Sequence, residues 1–329
     1  MIDRRGFLRT LAGLTTGILL SSSNSDGQTP QSSDRLGKLL PLRKFGRTNE
    51  TVTMLGVGGW HIGDMTEKEA QKTIETALEG GVRFFDSAES YQSGGSEERL
   101  GKLLVPKYRD DVFIMSKTTA RDADTARKHL EGTLARLNTD QIDLWQVHAV
   151  RNPEDVDGRV NGGVFDVMEE AKNSGKTRFI GFTGHTSPSA HQRVMHHSDI
   201  FDACQLPVNL TDINYESFIE TIIPKLVERN IGVIGMKSLA NGGFFGGTKH
   251  GRHGPNPRVI PNRVSISEAI RFVWSFPVST LVTGPDNAQQ MKEKIDLAKK
   301  FNGMKEDERQ KLIEKVADMA GRTVEFYKA

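Results

Sequence analysis

Eight apolar, β-prone runs alternate with eight amphipathic helical runs, and this alternation predicts an α/β fold, a closed (β/α)8 TIM barrel. The 329 residues are enough for one large α/β domain or two small ones. The net charge of +2 gives no indication of a nucleic-acid partner. The single cysteine, Cys204, excludes an intrachain disulfide and any cysteine metal cluster, and its apolar surroundings predict a buried core residue.

The predicted elements follow one another in a regular order after residue 39. A hairpin over 40–54, with its turn at 47–49, precedes the barrel. Strands are predicted near residues 54–57, 83–87, 112–117, 143–148, 178–183, 203–208, 232–237 and 279–283. Helices are predicted near residues 66–78, 96–105, 122–137, 163–174, 187–196, 215–229, 265–276 and 286–300. The first helix begins with a capping box of Thr66 and Glu69. A further amphipathic helix over 304–327 is expected to pack outside the barrel, which therefore spans 40–329.

The first 28 residues have the composition of a targeting segment. Arg4-Arg5 precedes an apolar run over 11–20, which is short for a membrane span because a span needs about 20 apolar residues. The pattern resembles a twin-arginine export signal. The resemblance implies the twin-arginine export machinery as a partner, a periplasmic or other extracytoplasmic location, and no stable membrane span after processing. An uncleaved signal would instead leave a membrane anchor. Residues 29–39 are expected to be a linker.

Ionisable side chains stand at the ends of three successive predicted strands. Asp86 ends the second strand and Tyr91 follows five residues later, Lys117 ends the third strand, and His148 ends the fourth. The intervals from Asp86 to Lys117 and from Lys117 to His148 are both 31 residues, the length of one strand, one helix and two loops. Since neighbouring parallel strands lie about 4.8 Å apart, these side chains could converge in one pocket.

This set of residues resembles the Asp, Tyr, Lys, His tetrad of the aldo-keto reductases. The opening hairpin, with Leu42-Arg43-Lys44-Phe45-Gly46-Arg47-Thr48, is also similar to that of the family. The likeness runs from about residue 40 to about residue 300. It implies reversible reduction of an aldehyde or ketone to an alcohol with NADP or NAD as cofactor, and a small carbonyl compound or sugar as substrate.

The same residues can be assigned chemical roles. Tyr91 would give a proton to the carbonyl oxygen, provided that a nearby Lys117 ammonium lowers its pKa. Asp86 would pair with Lys117, because an unpaired buried ammonium is unfavourable. A neutral His148 would donate a hydrogen bond to the substrate carbonyl and orient it. No side chain supplies hydride, so a nicotinamide is required.

The resemblance also implies where the nicotinamide dinucleotide binds. The implied cofactor-binding residues are Gly59, Thr183, Gln205, Met236, Lys237, Leu239, Gly284, Gln290 and Glu293. Thr183-Gly184 stands where the family has Ser-Asn, so the amide is missing. Asp286 and Gln290 stand where members that prefer a 2′-phosphate often carry arginine. Because a carboxylate repels phosphate, NADH is expected to be used at least as well as NADPH.

The remaining expectations concern the walls of the pocket and the rival functions. Trp60 and the long segment 241–263 are expected to line the substrate pocket, the segment as a flexible cover over the cofactor. His191, His196 and His197 are interpreted as solvated residues of a surface helix, and no metal site is expected. The alternatives are an NAD-dependent sugar or polyol dehydrogenase, a nicotinamide-binding redox sensor without significant turnover, and a barrel lyase or isomerase that needs no nicotinamide.

Overall fold

Eight parallel strands form a closed barrel in the computed structural model, which describes residues 33–246 and 258–328. We number them β1 to β8 in chain order: Leu55–Gly58, Phe84–Asp86, Phe113–Thr118, Ile142–Val147, Thr177–Thr183, Ala203–Pro207, Gly232–Met236 and Thr280–Thr283. Each strand pairs with its neighbours in the chain, and β8 closes on β1 with Thr283 opposite Val57. The predicted (β/α)8 barrel is therefore confirmed. The proposed signal over 1–28 lies outside the described residues.

Helices surround the barrel in the predicted alternation. They are α1 to α8 in chain order: Glu67–Glu79, Gly95–Leu103, Ala123–Leu137, Val164–Asn173, Pro188–His197, Ile223–Glu228, Ile266–Trp274 and Ala288–Lys300. Further helices are inserted at Gly59–Asp64, Val105–Tyr108, Pro153–Asn161, Phe218–Thr221 and Val259–Asn262. Within the described ranges, none of the helices is both long and apolar enough to cross a membrane.

Three helical predictions need correction. The helix expected over 215–229 is two short helices separated at Ile222, because Pro224 in the first turn of α6 has no N–H to continue the hydrogen bonds of the preceding turn. The extra helix expected over 304–327 ends earlier, as Glu306–Val316 with a 3-10 turn after it, and Gly321 then takes a φ of 137° that no α-helix allows.

The third correction concerns the capping box of α1. Thr66 caps the helix by accepting a hydrogen bond from the Glu69 amide at 3.3 Å, as expected. The Glu69 carboxylate does not return the bond, however. It accepts from the backbone N–H of Ala288 at 2.8 Å and thus caps the start of α8. A residue predicted to act within its own helix therefore connects two helices, through a contact between residues 219 positions apart in sequence.

Between residue 33 and the barrel, the structure has two antiparallel hairpins. The predicted one pairs Leu42–Lys44 with Thr51–Thr53 and packs Phe45 edge-on against Phe84 and Phe113 of the barrel interior. The other pairs Ser33–Asp34 with Gly37–Lys38, within the stretch that the sequence assigns to a linker. The hairpin aromatic residue thus plugs the end of the barrel at which the strands begin, and functional groups are left to the opposite end.

The C-terminal tail after Gly321 packs against the loops that follow β6 and β7. Its Lys328 ammonium lies 2.7 Å from the Asp212 carboxylate and 2.9 Å from the Glu325 carboxylate, and all three side chains are fully buried. The Tyr327 ring lies 4.9 Å below the Lys237 ammonium and 6.1 Å from the His185 ring. The tail therefore forms part of the wall at the C-terminal end of the barrel strands.

Candidate active site

The structure brings the four predicted tetrad residues together at the C-terminal ends of the strands. Lys117 forms an ion pair with Asp86, which lies on the neighbouring strand. The same ammonium lies 3.1 Å from the Tyr91 hydroxyl and 2.6 Å from the Ser87 carbonyl oxygen. The His148 ring is edge-on to the Tyr91 ring, with 5.7 Å between centroids. Parallel pairing of successive strands produces this convergence, as the equal spacing in sequence predicts.

Tyr91 is held by a tight turn rather than by a strand. Its backbone N–H donates to the Ala88 carbonyl at 3.1 Å, and the next two residues, Gln92 and Ser93, have φ values of 49° and 54°. Two successive non-glycine residues in the left-handed region are uncommon, and such backbone conformations concentrate at functional sites. Gln92 also donates to the Trp60 carbonyl at 3.2 Å, which connects the turn to the short helix Gly59–Asp64 after β1.

The electrostatics of the ion pair differ from expectation in one respect. Burial alone would lower the pKa of Lys117, but Asp86 and Tyr91 raise it above its ordinary value, so the ammonium is retained. Burial raises the pKa of Tyr91, and the opposing effect of Lys117 is smaller. The predicted net lowering of the Tyr91 pKa is therefore wrong. Its hydroxyl keeps its proton at neutral pH, a state that suits a proton donor.

His148 is a neutral imidazole, as expected. Burial, followed by the charge of Lys117, holds the pKa of His148 well below its usual range. The Ser90 hydroxyl lies 3.3 Å from its Nδ1 atom. The next residue, Ala149, has a φ of 54°, so the chain turns sharply once the histidine has left β4. A neutral ring can donate one hydrogen bond without adding a second cation beside Lys117.

A cleft with a volume of about 380 Å³ lies beside this tetrad and extends across the ends of β1, β7 and β8, although none of the four tetrad residues lines it. Trp60 connects the cleft with the tetrad. It lines the cleft and packs edge-on against Tyr91, with 5.5 Å between the ring centroids. Its side chain is 52% exposed, which agrees with a pocket wall and excludes a core position. From the described part of the segment 241–263, Asn241, Gly242 and Phe245 also line the cleft.

The predicted cofactor residues divide between the cleft and its surroundings. Lys237, Leu239, Gly284 and Gln290 line the cleft. The other five do not: Gly59, Thr183, Gln205, Met236 and Glu293. Gln205 is buried inside the barrel, within hydrogen-bonding reach of Asp86, and Thr183 ends β5 as a buried residue. Met236 is half-buried at the end of β7, and Glu293 accepts a hydrogen bond from Gln289 on α8.

Three groups of the site were missed in the sequence. Lys294 lines the cleft from α8, and its spacing of four residues from Gln290 could have placed both on one helix face. Tyr327 reaches the strand ends through the C-terminal tail, and no local pattern signals that placement. His61 lines the cleft as well, with its Nε2 atom 3.8 Å from the Asp286 carboxylate.

His191 is not the solvated residue that we expected. It is fully buried on α5, edge-on to Phe218 at 5.0 Å, and burial lowers its pKa to about 4. The ring lies directly behind Gly184, where a Cβ atom would stand 2.7 Å from His191 Cε1. The ring of His191 therefore leaves no room for a side chain at Gly184, where the family has asparagine. His196 and His197 are exposed, as predicted, and His197 bonds to Asp157 at 2.6 Å.

Gly59 has a packing role beside the tetrad. A Cβ atom on it would lie 2.0 Å from the Asp86 carbonyl oxygen and 2.8 Å from Ser96 Oγ. We expect Gly59→Ala to displace the end of β2 and to lower the free energy of unfolding by about 1–3 kcal/mol, with a fall in turnover. The matched control is Gly158→Ala in the helix Pro153–Asn161, where nothing lies within 4 Å of the new methyl group.

That control should be neutral or stabilise by about 0.5–1 kcal/mol, because alanine is the better helix former. Urea unfolding of both variants measures the difference. Equal stabilities would show that the strand end accommodates a side chain at Gly59.

Comparisons with known proteins agree with this geometry. The model of the aldo/keto reductase family matches residues 54–317. The 6-dehydroglucose reductase of Novosphingobium aromaticivorans is 30% identical over 164 residues, which are 44% of this chain and 51% of that protein. The L-galactose dehydrogenase of Arabidopsis thaliana is 28% identical over 228 residues, or 62% of this chain and 66% of that protein. The match thus spans about half the length of the first of these relatives.

Among solved structures, the holo form of an aldo-keto reductase from Bacillus halodurans superimposes with a TM-score of 0.70. The two chains are 21% identical, and the superposition covers 84% of this chain and 96% of the other. At that identity the likeness concerns the fold. The family model covers most of the barrel and includes all four tetrad residues, and on this basis the chain belongs to the aldo/keto reductase family of oxidoreductases.

Proposed function

We propose that this chain interconverts an aldehyde or ketone and an alcohol, with Tyr91 as the acid and base. The single observation that carries the proposal is the buried Lys117 ammonium, which contacts both the Asp86 carboxylate and the Tyr91 hydroxyl. In that arrangement Tyr91 can give a proton to a carbonyl oxygen and recover it from an alcohol. Lys117 stabilises the phenolate that remains, and Asp86 keeps the lysine charged and in place.

The residues of the cleft fit a nicotinamide dinucleotide. The cleft is elongated over three strand ends, adjoins Tyr91 through Trp60, and carries the ammonium groups of Lys237 and Lys294 for an anionic ligand. A bound nicotinamide dinucleotide supplies the hydride. Lys237, Leu239, Gly284 and Gln290 would hold it, while His148 orients the substrate carbonyl and Trp60 covers the reacting atoms.

The substrate class that we favour is a sugar or polyol. Two relatives bear names that refer to sugars, a glucose derivative in one case and galactose in the other. The alternative direction, oxidation of a sugar with NAD, uses the same four residues in reverse. The test is consumption of NADH or NADPH with a panel of simple aldehydes, ketosugars and aldoses, and the reverse reaction with polyols and sugars. Dinucleotide binding without turnover of any of these would favour the sensor alternative instead.

We also propose that the chain is exported in a folded state with its cofactor bound. The support is the Arg4-Arg5 pair with the apolar run after it, next to a body for which we propose a dinucleotide cofactor. Such a route would let the barrel bind its cofactor in the cytoplasm. Binding to the native state alone would then raise stability, by about 2.7 kcal/mol at a ligand concentration of one hundred times Kd.

The double substitution Arg4→Lys and Arg5→Lys is expected to leave the protein in the cytoplasm. Cell fractionation with immunoblotting measures this, and Lys38→Arg in the body of the protein serves as a charge-conserving control. The exported wild-type protein should contain nicotinamide dinucleotide after denaturation. Normal export of the double variant would refute the signal, and exported protein that contains no dinucleotide would refute the coupling of export to binding.

A further inference from the structure

Lys294 is a buried cation whose charge is not neutralised by direct contact. It lies in the middle of α8, only 3% of its surface is exposed, and it lines the cleft. None of the hydrogen bonds or ion pairs found within residues 33–246 and 258–328 involves its ammonium group. A buried ammonium is unfavourable unless it is paired, because burial removes its hydration. Its position at the cleft therefore indicates an anionic ligand.

The neighbouring carboxylates do not pair with Lys294. Asp286 is half-exposed and accepts a hydrogen bond from Gln290 at 3.2 Å, while its other oxygen faces His61 at 3.8 Å. Glu293 accepts from Gln289 on the same helix. Burial lowers the pKa of Lys294 to about 8, and Glu293 and Asp286 offset this only in part. The lysine therefore remains largely charged at neutral pH without a partner in contact.

The charges around the cleft favour phosphate over a neutral ligand. Lys294 is buried and Lys237 is half-buried, whereas the acidic residues that line the cleft, Asp64 and Asp286, are exposed. An exposed charge is screened by water, so a buried one acts more strongly on a ligand at the same distance. Lys292, two residues away on α8, provides the contrast: it is exposed and pairs with Asp296 at 3.1 Å.

We propose that Lys294 binds a phosphate group of the nicotinamide dinucleotide and helps to determine which dinucleotide this chain takes up. The proposal rests on the proposed function. Two phosphate sources share this chemistry: the pyrophosphate, which both dinucleotides carry, and the 2′-phosphate, which only NADPH carries. In the second case Lys294 would oppose the preference for NADH that Asp286 implies.

The experiment measures equilibrium dissociation constants of NADH and NADPH by calorimetry for three proteins: the wild type, Lys294→Met and the control Lys292→Met. The fragments 5′-AMP and 2′-AMP are titrated into the same proteins. Lys294→Met should weaken binding of at least one dinucleotide about tenfold or more, the effect of one lost charge-assisted hydrogen bond. Lys292→Met should stay within about twofold, because surface ion pairs contribute little. Lys294→Gln repeats the test if the methionine variant does not fold.

Each outcome has a distinct reading. Equal weakening of both dinucleotides and of 5′-AMP assigns the contact to the pyrophosphate side. Weakening confined to NADPH and 2′-AMP assigns it to the 2′-phosphate. Unchanged affinity of both dinucleotides for a folded Lys294 variant overturns the proposal, while the proposed function stands. Failure of the wild-type protein to bind either dinucleotide overturns the proposed function and this inference together.

Discussion

Tyr91→Phe is expected to lower kcat for carbonyl reduction by about 10²–10⁴-fold, the usual contribution of a positioned acid. Only the hydroxyl is removed, so the ring still packs against Trp60 and His148. The Lys117–Asp86 pair also remains, because that contact does not involve the phenol. Dissociation constants of the dinucleotides should therefore stay within a few-fold of the wild type. Single-turnover kinetics with saturating cofactor measures the loss at the chemical step.

Tyr108→Phe is the matched control for that experiment. Tyr108 ends a short helix ahead of β3, at the opposite end of the barrel from the tetrad, and it is partly buried like many structural tyrosines. Its variant should retain wild-type kcat. If Tyr91→Phe keeps more than about a tenth of the wild-type kcat, another group delivers the proton and the assigned role is wrong.

Lys117→Met is expected to move the pH profile of alcohol oxidation to higher pH, or to abolish the activity. Oxidation needs Tyr91 as a phenolate, and burial already raises the pKa of Tyr91 while Lys117 opposes that rise. Removal of the ammonium leaves burial and the Asp86 charge, and both raise the pKa of Tyr91 further. The fraction of phenolate at a given pH therefore falls. Initial rates of oxidation between about pH 6 and 11, on both sides of the ordinary tyrosine pKa, measure the profile.

Lys117→Met is also expected to lower the free energy of unfolding. It leaves the Asp86 carboxylate buried without its cation, and breaking a buried pair in this way costs roughly 3–5 kcal/mol. Lys172→Met is the matched control. Lys172 also pairs with a buried carboxylate, that of Asp202, but this pair lies at the start of β6 and not beside the tetrad. The double variant Asp86→Asn with Lys117→Met removes both charges and should recover stability without activity. A Lys117 variant with an unchanged pH profile and good turnover would show that Lys117 is only structural.

The sequence alone determined the barrel and the convergence of the tetrad. Strand-sized apolar runs alternate with helical ones, and parallel strands joined by helices end at the same side of a barrel. Equal spacing along the chain therefore becomes proximity in space for Asp86, Lys117 and His148. Tyr91 follows because a turn of five residues cannot carry it far from Asp86. These predictions rest on local periodicity and strand direction, which sequence records directly.

Only the tertiary structure decided the electrostatics and the remote contacts. The net rise in the pKa of Tyr91 depends on how completely the neighbouring elements exclude water from it, and no sequence pattern measures that. The burial of His191 behind Gly184 depends on the packing of α5 against β5. In the sequence Lys294 is indistinguishable from an exposed helix lysine, and only the structure places it at the cleft. The Lys328 ion pairs join the end of the chain to Asp212, a contact between residues 116 apart in sequence. Such contacts are made by packing between distant segments, so they exist only once the barrel has closed.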